Sequence, residues 1–232
     1  MDFGQLKTLG RTFVSEAKKG TVDDTELEAI INAGKTDVAA QLICLKKNTK
    51  FASEEDVDTY NLTSILTRYL VPDKSGLWYR TSTSTNYRPL TARTIKWLDE
   101  NRPDWRDADS GDPTDYAIDG DNLIVSPAPS SVITDAFWFY YGSDGADMTE
   151  DTQYPFGGTT EIHRLKIAHM AIVKYTEWGL SKAVHEGADS YRLKENEYLR
   201  EVENVRKMLN RRKDLSSSRE TKMRFGGNNG SY

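Results

Sequence analysis

The chain is poorest in the residues on which secreted proteins and most metalloenzymes depend. A single cysteine, Cys44, stands in 232 residues, which excludes an intramolecular disulfide and any cysteine-based zinc site. Histidine is almost as scarce, at three. His163 and His169 lie too far apart in sequence for the i, i+4 pairing that sets two metal ligands on one helical face. His185 falls near an expected helix end, where it can meet terminal carbonyls. No run of about 18 apolar residues occurs, so no membrane span is expected. The opening Met1-Asp-Phe-Gly4 has no basic stretch leading into an apolar core, so no signal peptide is expected there. Apolar residues make up 37% of the chain and mean hydropathy is −0.68, both low for a compact enzyme. A chain of this length still buries roughly 70–75% of its unfolded surface, enough for a core without covalent staples.

Catalytic patterns are missing too. Neither G-x-S-x-G nor H-E-x-x-H occurs, and Cys44 has no base nearby, so it reads as a small core or groove residue. Asp107, Asp109 and Asp112 around Gly111 look like the opening of a calcium loop. That loop needs glycine at its sixth position and an acid at its twelfth, and here those are Asp112 and Ile118. A metal hydrolase built on the acids between Asp107 and Asp121 is therefore the weakest alternative. Phe156-Gly-Gly-Thr-Thr160 precedes an expected helix but lacks the lysine of a phosphate loop, which leaves it a hinge and cap. No catalytic, cofactor or metal residues are assigned, and the chain reads as a non-enzyme.

Charge is unevenly spread. Residues 206–224 carry Arg206, Lys207, Arg211, Arg212, Lys213, Arg219, Lys222 and Arg224 against Asp214 and Glu220, a surplus of +6. With a total of −5, the remainder carries −11, and residues 99–121 alone hold nine acids against Arg102 and Arg106. The split reads either as two solvated faces of opposite sign or as an acidic body that repels duplex DNA and a basic tail that docks elsewhere. Five tryptophans, Trp78, Trp97, Trp105, Trp138 and Trp178, in a chain with few aliphatics favour large interfaces.

Read in order, residues 1–19 form a helix with a thin stripe of Phe3, Leu6, Leu9 and Phe13. Thr25-Glu-Leu-Glu28 fits a capping box, and two short helices are expected to meet at Gly34. From Phe51 the period falls towards two. Residues 60–63, 65–71 and 77–80 read as strands, with a turn at 72–76. Thr91 caps a helix that Pro103 stops, and Asp119-Gly120 suits a primed hairpin turn. Pro127 and Pro129 close the second strand of that hairpin. In the run Phe137-Trp-Phe-Tyr-Tyr141 bulky residues alternate on both faces, which implies cover on both, by core on one and a partner on the other. Two long helices follow, with stripes at Ile162, Leu165, Ala168, Ile172, Tyr175 and Gly179, and at Tyr191, Tyr198, Val202, Val205 and Leu209. Beyond Leu215 the chain is too polar and glycine-rich to build a core.

The expected class is α+β: a helical bundle from N- and C-terminal helices, an inserted small antiparallel β domain and an extended C-terminal arm. The boundaries are 1–51 and 158–212 for the bundle, 52–157 for the β domain and 213–232 for the arm.

The run Pro103-Asp-Trp-Arg106, Gly111-Asp-Pro-Thr-Asp-Tyr116, Asp119-Gly120, Pro127-Ala-Pro129, the aromatic strand and Met148-Thr-Glu-Asp151 resembles head-to-tail adaptor (connector) proteins of tailed bacteriophages. The order of elements carries the likeness from about residue 20 to 212. The resemblance implies a homo-oligomeric ring, dodecameric in such adaptors, made in the host cytoplasm and placed in the virion neck. Its partners would be the portal protein and a tail, nozzle or stopper protein, with double-stranded DNA passing through the lumen without sequence-specific binding. Portal contact would fall to the arm, through Arg211, Arg212, Lys213, Arg219, Lys222, Met223, Arg224, Phe225 and Tyr232. The large β insertion departs from the smallest, nearly all-helical adaptors. The alternatives are a tail-completion or stopper ring, and a soluble nucleic-acid-binding protein using the basic C-terminal segment.

Overall fold

The computed structural model describes residues 1–13, 22–42, 45–184 and 187–225, with side chains as far as Arg211. The protein is α+β, 43% helical and 23% strand. It divides into two compact units, one of Met1–Leu42 with Gly145–Tyr232 and one of Ile43–Asp144. The boundaries expected at 52 and 157 therefore fall at 43 and 144.

The second unit is built on two four-stranded sheets. In the first, β1 (Lys46–Phe51), β8 (Phe137–Ser143), β3 (Tyr69–Tyr79) and β4 (Arg88–Pro89) lie in that order, all antiparallel. In the other the order is β2 (Thr59–Asn61), β7 (Asn122–Ser126), β6 (Asp115–Asp119) and β5 (Thr91–Ala92), with β5 and β6 parallel. Alternation decides what each face meets. Leu77, Tyr79, Phe137, Phe139 and Tyr141 of the first sheet share one core with Tyr60, Tyr116, Leu123 and Val125 of the second. The next residues over on the second sheet, Ala117 and Ile124, face the other way and pack with Leu98, Trp105, Ile95 and Trp97. These belong to α4 (Ile95–Asn101) and the turn after it. The unit is thus layered: outer face of the first sheet, first sheet, core, second sheet, α4.

Several local readings change. Lys46–Phe51 is strand, paired along its length with β8. Its lysines hide the strand from a hydrophobicity reading, yet Lys46, Lys47 and Lys50 suit an edge that must not recruit further strands. Residues 72–76 are not a turn between two strands. Pro72 pairs with Tyr141 and Leu77 with Phe139, so β3 stays on one partner and the intervening residues bulge out. Ile65 ends a short helix, α3 (Leu62–Ile65), capped by the Asn61 side chain accepting from Ser64 N at 3.0 Å. Thr91 lies in β5, and Thr94 caps α4 by accepting from Trp97 N at 3.1 Å. The β6–β7 loop is Gly120-Asp121, and its positive φ of 58° falls on Gly120, as in a type II′ turn.

The helical unit opens with α1 (Phe3–Thr12), closed by a capping box of Asp2 and Gln5. Helix α2 (Asp24–Leu42) is continuous, where two helices were expected, and its cap is Asp23, which accepts from Glu26 N at 2.7 Å. A 3₁₀ segment (His163–Ala168) leads into α5 (His169–Ala183), which packs on α1, α2 and α6 (Ala188–Phe225). Residues 213–225, expected as an extended arm, continue α6 as helix. The expected α6 stripe is the buried one at Tyr198, Val202 and Val205.

Gly34 is where α2 meets α5. A Cβ there would stand 2.8 Å from Tyr175 Cδ1 and 3.1 Å from Tyr175 Cβ. The clash is with the root of the ring, which cannot swing away. Gly179 of α5 makes the reciprocal approach, 2.6 Å from Ile30 Cγ2 of α2. Both glycines shorten the helix-to-helix distance at some cost in helix propensity.

Gly34→Ala is therefore expected to destabilise the protein by about 1–3 kcal/mol through overpacking, although alanine is the better helix former. Thermal melting checks this, and a variant at least as stable as the parent would refute the crossing. Gly120→Val should also cost about 1–3 kcal/mol, for the different reason of its positive φ, because nothing lies within 4 Å of its Cβ position.

Candidate interaction surfaces

The outer face of the first sheet follows from the strand pairing. Trp138 sits between Lys50 on one side and Trp78 on the other, and Asn48 is opposite Tyr140. The Lys50 ammonium lies 5.0 Å from the Trp138 ring centre and 5.1 Å from that of Tyr87. Tyr87 meets Trp138 edge-on at 5.4 Å, and Trp138 and Tyr140 are 4.9 Å apart. The indole N–H groups are satisfied, Trp138 donating to Asn48 Oδ1 at 3.1 Å and Trp78 to the Ser75 carbonyl at 2.8 Å. The rings are half-buried, held in place and ready to lose their remaining water at low entropic cost. Lys50 is exposed and has no ion pair among the described residues.

The opposite layer is acidic. Trp105 is buried and donates from Nε1 to Asp99 at 2.9 Å, and Arg106 stacks 4.2 Å over its ring while pairing with Asp99 at 2.6 Å. The Trp105 hydrogen bond, then that of Arg106, hold the Asp99 carboxyl below the usual carboxylate range. Asp115 is buried between Arg93 at 3.0 Å and Arg102 at 2.9 Å. Asp104, Asp107 and Asp109 remain exposed and without an ion pair among the described residues. Asp112 pairs with Arg88 at 3.6 Å, Asp119 ends the strand before the hairpin turn and Asp121 lies in the turn itself. Among the described residues no three His, Cys, Asp or Glu side chains come together as a metal would need.

In the helical unit the buried polar groups brace the chain. Lys35 is fully buried on α2 and donates to the carbonyls of Gly145 at 3.2 Å and Ala146 at 2.8 Å and to Asp147 at 3.1 Å. One turn earlier, Asn32 donates to the Met148 carbonyl at 3.0 Å and accepts its N–H at 2.9 Å. Tyr198 donates to Asp37, which also accepts from Gln41 at 2.7 Å. Burial first, and Asp37 second, raise the Tyr198 phenol far above its ordinary pKa. Of these side chains, the sequence marks Tyr198 alone, as part of the expected apolar stripe. Asn32 and Lys35 sit three apart on one face, which is the only signal they carried. Phe156-Gly-Gly-Thr-Thr160 folds on itself, with Tyr154 N bonded to the Gly158 carbonyl at 2.7 Å and Thr160 N to that of Gly157 at 3.2 Å. His163 is exposed, whereas His169 is buried and bonded through Nδ1 to the Met1 amino group at 2.8 Å.

Of the expected portal-binding residues, Arg211 is exposed on α6. Arg212, Lys213, Arg219, Lys222, Met223, Arg224 and Phe225 lie along the same helix, so backbone geometry joins them in one continuous element. Tyr232, like Cys44 and His185, lies outside the described residues. No protein-family model matches the chain, and no curated protein matches it at a significant level.

His169 yields a pH prediction. Burial, then the neighbouring ammonium, lower its pKa from the model-peptide value of 6.5 to about 4. The neutral ring is the native one, so its contribution is present above about pH 6.5 and is lost as pH falls towards 4. That loss should approach about 3 kcal/mol. His169→Phe should flatten the decline in melting temperature across this window, and an unchanged pH profile would show that other groups control it.

Proposed function

We propose that the chain is a virion structural protein, a head-to-tail adaptor whose copies form a ring beneath the portal of a tailed bacteriophage. In this reading the helices from both ends of the chain form one bundle that carries the β unit as an insertion. The ring, dodecameric in the adaptors that the sequence resembles, offers annular surfaces to the portal above and to a tail, nozzle or stopper protein below. Packaged DNA passes through the lumen without being gripped. The role is geometric and requires no catalytic group.

The observation that carries this reading is α6. Its 38 residues reach about 57 Å, yet the described buried side chains on it are Tyr198, Val202 and Val205. Leu193, Leu199 and Met208 lie off that stripe and are 61%, 48% and 43% exposed. A helix of this length with apolar residues on unburied faces is economical when neighbouring copies cover it. Residues 213–232 add a basic segment ending beyond the packed stripe, suited to docking on the portal.

A nucleic-acid-binding reading is favoured by one feature, the surplus of +6 over residues 206–224. Steeply salt-dependent binding of the free protein to duplex DNA would support it over the adaptor reading.

Sedimentation of the full chain is expected to show a monomer or small species alone and a ring once portal is added. A stable large ring formed by the free protein at low concentration would contradict portal-dependent assembly. Deleting Ser216 to Tyr232 should leave the melting temperature unchanged, because the described buried stripe of α6 ends at Val205, but give heads without tails. Truncated protein that joins heads to tails at normal yield would remove the arm from the joint.

A further inference from the structure

We infer that successive copies of this chain meet through their β units head to tail, the lysine–aromatic face of the first sheet in one copy seated on the acidic α4 layer of the next. The occupant of the sheet face is thus a second copy of the chain. The inference deepens the ring reading and rests on it for the assembly the contact builds.

The argument starts from layering. The core residues of the two sheets face each other, and α4 with the turn after it covers the far side of the second sheet. The outer face of the first sheet is therefore the opposite side of the same unit. Each other sheet face has an apolar cover within the unit, while this one carries half-buried Trp78, Trp138 and Tyr140 beside exposed Lys50. On the far side, Asp104, Asp107 and Asp109 stand exposed and unpaired among the described residues. One unit thus bears complementary charge on opposite sides. Such a pair of faces cannot be satisfied by a two-fold dimer, which brings the same patch to itself. It is satisfied by a heterologous contact, which repeats and closes into a ring when the rotation allows.

The sheet edges point the same way. Lys46, Lys47 and Lys50 along the edge strand β1, and Pro89 in the edge strand β4, oppose strand addition, so the contact must be made by the sheet face. The aromatic rings supply the apolar centre of that contact, and the Lys50–carboxylate pairs set its orientation.

The test uses the full chain, an equal mixture of nitrogen-15-labelled and unlabelled protein at low salt, with and without portal. Treatment with a carbodiimide joins lysines to carboxylates in direct contact, and mass spectrometry separates links between copies from links within one. Links between Lys50 of one copy and Asp104, Asp107 or Asp109 of another are expected, and they should fade as salt is raised. Lys50→Glu should weaken self-association severalfold, and so should Asp107→Lys, which lies on an exposed turn and leaves the cation–π contact intact. Combining the two should restore association. If rings form on portal with every inter-copy link in the helices and with Lys50→Glu at full yield, the ring reading survives and this interface is overturned. If no copies associate under any condition, both fall. Binding of a single-stranded oligonucleotide that quenches the tryptophans, without inter-copy links at Lys50, would replace the second copy by a nucleic acid.

Discussion

The antiparallel ladder of β8 is the contact on which the β unit depends. Its backbone pairs with β1 on one side and β3 on the other, so removing it would leave two edge strands with nothing between them. Its side chains also join the layers. Phe137 lies 5.0 Å from Phe51, 5.3 Å from Tyr60 and 5.2 Å from Tyr79, which ties together three strands of two sheets. Aromatic pairs at such spacings contribute about 0.5–1.5 kcal/mol each beyond their burial. The short strands β2, β4 and β5 add little by themselves and are ordered by the core this strand anchors.

The helical unit solves a different problem. Its stripes are narrow, so stability rests on close approach and on satisfying what is buried. Gly34 and Gly179 bring α2 and α5 together, and α5 in turn supports α1 and α6. Lys35 then accepts full burial because three oxygens surround its ammonium. Replacing it by a residue without donors would take a buried hydrogen-bond donor away from the Gly145 and Ala146 carbonyls and remove the ion pair to Asp147. The segment 145–148 thereby takes its path from side chains on α2 more than from any regular structure of its own.

Much of this was legible in the residues. Alternation in Phe137–Tyr141, a glycine-dependent hairpin turn at Gly120 and the Tyr198, Val202, Val205 stripe each map onto what the structure contains, because period and turn chemistry are local, although the turn is Gly120-Asp121 and Asp119 closes the strand before it. The misreadings have a common cause: the same residue serves two physical ends. Gly34 has the composition of a helix break but is a close-packing position inside α2. Lys46–Phe51 falls inside the expected helical segment 1–51, yet it is an edge strand whose charge keeps it unpaired on its open side. Pro72–Gly76 has turn composition but bulges from a strand that keeps one partner. Thr91 has cap chemistry but pairs with Asp115 in β5, so the cap falls three residues later, on Thr94. Of the interaction surfaces, the acidic stretch and the tryptophans were visible, while the placement of Trp78 and Trp138 on the side of the β unit opposite Trp97, Trp105 and the acids depends on pairing between distant strands.

The bulge in β3 has a consequence for how this chain can vary in length. In an ordinary strand an inserted residue reverses the inside–outside order of everything after it. Here Val71 and Pro72 are fixed opposite Gly142 and Tyr141, and Leu77 is fixed independently opposite Phe139. The two halves of the strand are each registered on β8, so the span between them can lengthen without exchanging core for surface. Gly76 sets the limit on that freedom, since its φ is +61° and the Tyr116 hydroxyl lies 2.6 Å from where a Cβ would stand. Residues 73–75 are thus a natural place for relatives of this chain to differ, and for an inserted epitope or reporter to leave both sheets undisturbed.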